Sequence, residues 1–319
     1  MKKIKNKRFY KVISLLIKSI ILILSFCYIW QKIKAAEEGI NFSELFTSSN
    51  LIILLAVCLL MLVNWSLEAA KWKILIVSLE PISFLRSLES VFAGVTASIF
   101  TPNRIGEFAG RVFFLEKADK IQATMKSFSG SMAQLLITLF AGLAAVFMYC
   151  KLGLNTTNPF KGLNFFYLNL TAVLFIVCLC LLWVSFRNPK SFSVKIQNYL
   201  KAFFETKSKE LLTVIMLSAI RYFVFSFQYY LILRVFHINI GFGIAMMLIA
   251  ITFFVTSLIP TFAFTEIAVR GASAVYFFNA VGVNATSIVA ASFTVWLINL
   301  ALPALIGSAF VWKMKFFKE

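Results

Sequence analysis

The chain of 319 residues is 61% hydrophobic and only 14% charged, with a mean hydropathy of +0.88, values that exclude an ordinary soluble domain and require a lipid environment. Its 31 Lys and Arg outnumber 13 acids to give a formal charge of +18. The basic residues sit in the gaps between apolar runs rather than on one folded face. That excludes a nucleic-acid interface, fits the positive-inside bias, and makes anionic lipid head groups the nearest partner.

In chain order, "MKKIKNKRFYK" leads into an apolar run over 12–30 that ends at Trp30 without an A-x-A cleavage site. The spacing predicts a retained first span rather than a removed signal peptide. Runs over 50–68, 127–150, 164–186, 211–234 and 286–312 are each long enough to cross a bilayer. Two further apolar regions, 84–118 and 243–279, are interrupted at Pro102 and Pro260 and read as re-entrant helical hairpins, although a double crossing preserves the same parity. Residues 112–126 carry too many charges for a lipid-facing crossing. Between the halves, 188–210 repeats Phe192, Ile196, Tyr199 and Phe203 at helical spacing among lysines, predicting a basic amphipathic linker helix on the cytoplasmic surface.

The expected fold is therefore all-α: one polytopic membrane domain over 1–319 with about six spans, two re-entrant hairpins and both termini in the cytoplasm. Lys and Arg cluster at the N-terminus, at 187–210 and at the C-terminus, which sets that orientation. Composition points to a bacterial inner membrane. Pro102, Glu107 and Arg111 recur about 160 residues later as Pro260, Glu266 and Arg270. The segments 1–155 and 156–319 thus read as repeats of opposite topology, an arrangement in which transporters bind substrate where interrupted helices meet.

The chemistry is concentrated at these interruptions. A helix starting at Pro102 and capped by Thr101 would put Arg104, Glu107 and Arg111 on one stripe, with Asn103 beside them. Glu107 and Arg111 then form the favourable i, i+4 pair, and the leftover positive charge near a helix start favours an anion. Glu266 and Arg270 repeat the pair, with Thr261 or Thr265 as the cap. Gln134, Arg221 and Gln228 are candidates to line a polar path or to bond helices together. Glu68 and Glu89 read as interfacial partners of Lys71, Lys73 or Arg86. A single histidine, His237, and five scattered cysteines offer no metal ligand set or nucleophile–base pair, and no G-x-x-x-x-G-K-[ST] loop is present. No catalytic residue, cofactor or metal is expected.

The run "PNRIGEFAGR" resembles the transmembrane region of the lysylphosphatidylglycerol synthase/flippase family, whose proline, arginine, glycine–glutamate and arginine pattern falls here on Pro102, Arg104, Gly106, Glu107 and Arg111. "IPTFAFTEIAVRG" resembles that family's later proline-to-glutamate segment at Pro260, Glu266, Arg270 and Gly271, with "TFAFT" where a glycine-rich run is usual. The resemblance implies a membrane domain that moves phospholipids or lipid-linked head groups between leaflets. It also implies no lysyl transfer from a chain that stops just after its last span. The alternatives are an ion-coupled carrier of a small anion with Glu107 or Glu266 as proton site, and a non-transporting scaffold or accessory to a lipid- or glycan-modifying enzyme.

Overall fold

The computed structural model describes residues 48–99, 101, 104–152, 208–259 and 263–311. The expected spans at 12–30 and 164–186 and the linker helix at 188–210 lie outside the described residues. So do the halves' outer boundaries and the C-terminal tail.

Every regular element among the described residues is helical. The order is α1 (Ser48–Ile76), α2 (Phe84–Ser98), α3 (Gly106–Val112), α4 (Lys120–Leu152), α5 (Ser208–Val235), α6 (Phe242–Leu258), α7 (Ala263–Asn279), α8 (Ala285–Trp296) and α9 (Leu302–Val311). A π-helical segment, Leu297–Ala301, joins α8 to α9, so that 285–311 runs as one rod. Four of these segments, 50–76, 120–152, 208–235 and 285–311, are long and apolar enough to cross a membrane. They correspond to four of the six expected runs. Their outward faces stay apolar, with Phe140 76% and Ile52 73% exposed, as helices bathed in hydrocarbon require.

Local sequence explains the helix starts. Ser83 Oγ accepts from the Arg86 N–H at 3.2 Å to open α2, and Asn284 Oδ1 accepts from the Thr286 N–H at 2.8 Å to open α8. Asp119 accepts from the N–H groups of Ile121 and Gln122 ahead of α4, so the charged 112–126 stretch divides into a connector and the first turns of that helix.

Helices stop on either side of the intervals that contain Pro102 and Pro260, giving two helix–break–helix units, α2/α3 and α6/α7. The two are unequal, since α3 has 7 residues and α7 has 17. The first unit is pinched shut by small residues. A Cβ at Gly110 would lie 2.3 Å from the Gly94 Cα, and one at Gly106 would lie 2.3 Å from the Ala97 carbonyl oxygen, so G-x-x-x-G of α3 lies backbone-to-backbone on α2.

Around these units, α1 and α5 run antiparallel. Asn50 Nδ2 donates to the Val235 carbonyl at one end of the pair (3.4 Å) and Gln228 Nε2 to the Val57 carbonyl further along (2.9 Å). The α2/α3 unit packs on α9, and the α6/α7 unit packs on α4. The core between them is aromatic-rich, with Trp72, Tyr149, Tyr229 and Trp296 all buried.

Glu80 fastens the connector after α1 to the one after α3. Its carboxylate accepts from the backbone N–H groups of Glu116, Lys117 and Ala118 at 2.7–3.1 Å. Burial opposes ionisation, but those three N–H groups and the nearby Arg86 outweigh it and hold the carboxyl below its ordinary range. Glu80→Gln is expected to cost about 1–3 kcal/mol at neutral pH. Because the folded state favours the ionised form, this stabilisation is complete above the ordinary carboxylate range. It drains away as pH falls through the lowered folded value. Melting curves of both proteins in detergent should converge in acid, and a gap that stays constant there would contradict this role.

Candidate functional site

The break after α2 differs in one respect from the sequence expectation. The helix starts at Gly106 rather than at Pro102, because Gly106 must lie against the Ala97 carbonyl and its N–H is taken by Thr101 Oγ1 at 2.7 Å. Thr101 thus does accept from the helix start, but from outside the predicted register. Arg104 falls in the turn, with a left-handed φ of 58°, and leaves the stripe that was to carry three charges. For a residue with a Cβ that conformation is uncommon and costs on the order of 1 kcal/mol.

Glu107 and Arg111 remain on α3 and form the expected i, i+4 ion pair. Arg111 does not stop there. Its guanidinium reaches across to α1, where Nη2 lies 2.9 Å from Glu68 Oε1, while Nη1 donates to Ser127 Oγ at 3.4 Å. The other oxygen of Glu68 lies 2.9 Å from Lys71 Nζ and 3.0 Å from Arg221 Nη1 on α5. Glu68 therefore gathers three cations from three helices and, with Lys71 and Arg111, is at most 3% exposed. It was read from sequence as an interfacial partner of Lys71. That ion pair is present, but α1 continues through Ile76, which carries both residues inside the helix.

Isolated charges at mid-bilayer cost roughly 2.5–3.5 kcal/mol each on insertion scales, so five of them demand this degree of pairing. The sequence clue was the acid–base pair Glu68/Lys71 at i, i+3 within a segment whose apolar pattern resumes at Trp72, Ile74 and Leu75.

Arg221 links this network to an adjoining cavity. Its Nη1 also donates to Gln134 Oε1 at 3.4 Å, Gln134 Nε2 donates to the Ser218 carbonyl at 3.3 Å, and the guanidinium lies over the Trp65 ring at 5.1 Å. The cavity holds about 660 Å³. Its polar wall brings together Arg104, Gln134, Arg221, Glu266, Arg270 and Asn299, and an apolar wall follows along Ile105, Phe108, Phe128, Leu258 and Ile259. Within it Arg270 Nη2 meets Glu266 Oε1 at 2.7 Å, and the Arg270 guanidinium lies over Phe225 and Phe253 at 5.7 and 5.8 Å. Residues from both interrupted units thus line one space.

The remaining candidates are distributed differently. Arg111 and Glu107 sit behind the cavity wall rather than on it, and Gln228 is committed to the Val57 carbonyl. Asn103, Thr261 and the side chain of Thr265 lie outside the described residues. His237 is exposed in the turn after α5.

The two i, i+4 pairs are treated unequally. Arg111 is neutralised by Glu107 and Glu68 together and is 1% exposed. Among the described residues Arg270 has Glu266 alone, and it faces the cavity. Four buried guanidinium nitrogens on the cavity arginines find no hydrogen-bond acceptor among the described residues: Nε and Nη2 of Arg104, Nε of Arg221 and Nε of Arg270. Unmatched buried donors of this kind are costly and are met in native proteins where a ligand completes them. Chemically, the wall is a set of preorganised cationic donors with an apolar flank.

No curated protein and no solved structure matches the chain. A family model described as the lysylphosphatidylglycerol synthase transmembrane region covers residues 13–307, and on that match over most of its length this arginine-lined helical membrane protein belongs to that family.

Proposed function

We propose that the protein moves an anionic phospholipid, or a lipid-linked anionic head group, between the leaflets of a bacterial inner membrane. The observation that carries this reading is the convergence of Arg104, Arg221 and Arg270 on one cavity, with Glu266 as the lone carboxylate among the described residues that line it. The flanking wall of Ile105, Phe108, Phe128 and Leu258 favours an amphiphile over a small soluble anion, since tails need an apolar route beside the head-group site. Ile105 and Leu258 are more than half exposed, so that route faces outward toward lipid.

Two repeats of opposite topology would supply alternating access, with the α2/α3 and α6/α7 units as re-entrant gates and both termini in the cytoplasm. The antiparallel course of α1 and α5 supports this symmetry. So does the reciprocal packing of each interrupted unit on the long helix of the other half. A Cβ at Gly142 of α4 would meet Phe254 of α6 at 2.3 Å, and one at Gly307 of α9 would meet the Phe92 carbonyl of α2 at 2.0 Å. Phe92 and Phe254 stand about 160 residues apart, the same displacement that relates the two Pro–Glu–Arg sets.

The test is reconstitution into vesicles containing labelled phosphatidylglycerol or another anionic phospholipid, with label accessibility read over time. Arg270→Gln and Arg104→Gln should each slow translocation about tenfold or more, the equivalent of one lost charge-assisted contact. Melting temperature is to be measured alongside. Unaltered translocation in both folded variants would refute the reading, as would wild-type vesicles indistinguishable from protein-free ones.

A further inference from the structure

We infer that the cavity selects a head group bearing a terminal phosphate, a phosphomonoester or diphosphate, over the singly charged phosphodiester of an ordinary anionic lipid. The inference rests on the lipid-transport reading above and narrows it. Two independent counts carry it.

The first is charge. The cavity arginines and the network joined to them through Arg221 hold five cations, Lys71, Arg104, Arg111, Arg221 and Arg270. Among the described residues the carboxylates paired with them are three, Glu68, Glu107 and Glu266. Two positive charges in this connected set therefore go unmatched among the described residues. A phosphodiester neutralises one of them, whereas a terminal phosphate carries about −1.5 to −2 at neutral pH and matches both. Uncompensated charge inside a low-dielectric region is expensive, so the better-matched ligand gains most.

The second is hydrogen bonding. The four guanidinium nitrogens without acceptors belong to three different arginines, and each has an N–H to give. A phosphodiester offers two charged oxygens and turns its ester oxygens, poor acceptors, toward the rest of the head group. A terminal phosphate offers three strong acceptor oxygens, and a diphosphate more. Arg104 contributes two of the four nitrogens and has no ion-pair partner among the described residues, so it holds the largest share of the selectivity.

The experiment uses the full chain in detergent, with ligand-induced shifts in melting temperature and native mass spectrometry as readouts. The probes are phosphatidic acid and phosphatidylglycerol of identical acyl chains, together with inorganic phosphate and pyrophosphate. Phosphatidic acid should reach half-maximal stabilisation at a concentration about tenfold lower than phosphatidylglycerol, and Arg104→Gln should bring the two within about threefold. Equal potency of the two lipids in wild type overturns the inference and leaves the transport reading standing if vesicles still translocate either lipid. Because this ratio is measured in wild type, it remains decisive even where the variant fails to fold. An unchanged ratio in folded Arg104→Gln also overturns the inference. Pyrophosphate as potent as phosphatidic acid assigns the site to a soluble anion and overturns the lipid source. Binding of none of the probes overturns the inference and the transport reading together.

Discussion

Replacing Glu68 by alanine is expected to destabilise the protein by about 3–5 kcal/mol, the cost of stripping a buried ion network of its shared partner. Lys71 and Arg221 would then lose their only ion-pair carboxylate among the described residues, and Arg111 would keep Glu107 alone. The loss should show as a large drop in melting temperature in detergent and as poor yield from the membrane. Coupling provides the sharper check. Glu68→Gln combined with Lys71→Met should recover a substantial part of what Glu68→Gln loses alone, because the second change removes one of the stranded charges. Strict additivity of the two substitutions would mean that the network is not an energetic unit. Loss of Glu68 should also weaken anion binding in the cavity, since the same carboxylate fixes Arg221 against Gln134 and Trp65.

Gly110→Val is expected to be as damaging for a different reason. The new Cβ would lie 2.3 Å from the Gly94 Cα and 2.7 Å from its nitrogen, both backbone atoms that no rotamer change can move. Helices α2 and α3 would have to separate, at about 3 kcal/mol or more, and α3 would carry Glu107 and Arg111 away from Glu68. Gly243→Ala in α6 is the matched control. Nothing lies within 4 Å of the Cβ it would acquire, and alanine is the better helix former by roughly 1 kcal/mol. Melting curves should therefore fall steeply for the first variant and hold or rise for the second. Similar behaviour of the two would remove the close α2–α3 contact as a determinant of the site.

The parts of this protein that sequence made legible are those set by short-range physics. Long apolar runs named four crossing helices, and i, i+4 spacing named the Glu107–Arg111 and Glu266–Arg270 pairs. Interruptions at the two prolines followed from the missing N–H and the restricted backbone before proline. What failed needed three-dimensional neighbours. Arg104 left its helix because Gly106 had to lie against Ala97, a contact that no spacing rule contains. Glu68 looked interfacial because an acid and a lysine near the end of an apolar run usually are. Its role depends on Arg111 and Arg221 arriving from other helices. For Gln228 the sequence left open a polar path or a bond between helices, and the donation to the Val57 carbonyl of α1 is the second of these.

The π-helical segment Leu297–Ala301 acts as a phase shifter within one membrane-crossing rod. Trp296, just upstream of it, and Asn299, within it, present themselves to the cavity; downstream, Gly307 must meet the Phe92 backbone with no side chain in between. A wide turn takes up one residue more than an α-turn, and each residue of an α-helix advances the azimuth by about 100°. Rewinding that turn as regular α-helix with every residue kept would swing Gly307 about a quarter-turn off Phe92, whereas excising one residue would leave the two surfaces in phase. In the rewound rod a bulkier neighbour would be driven into a gap with room for no Cβ at all. The irregular turn is thus the joint that lets one rod satisfy two surfaces whose angular demands no uninterrupted α-helix of the same residues meets at once.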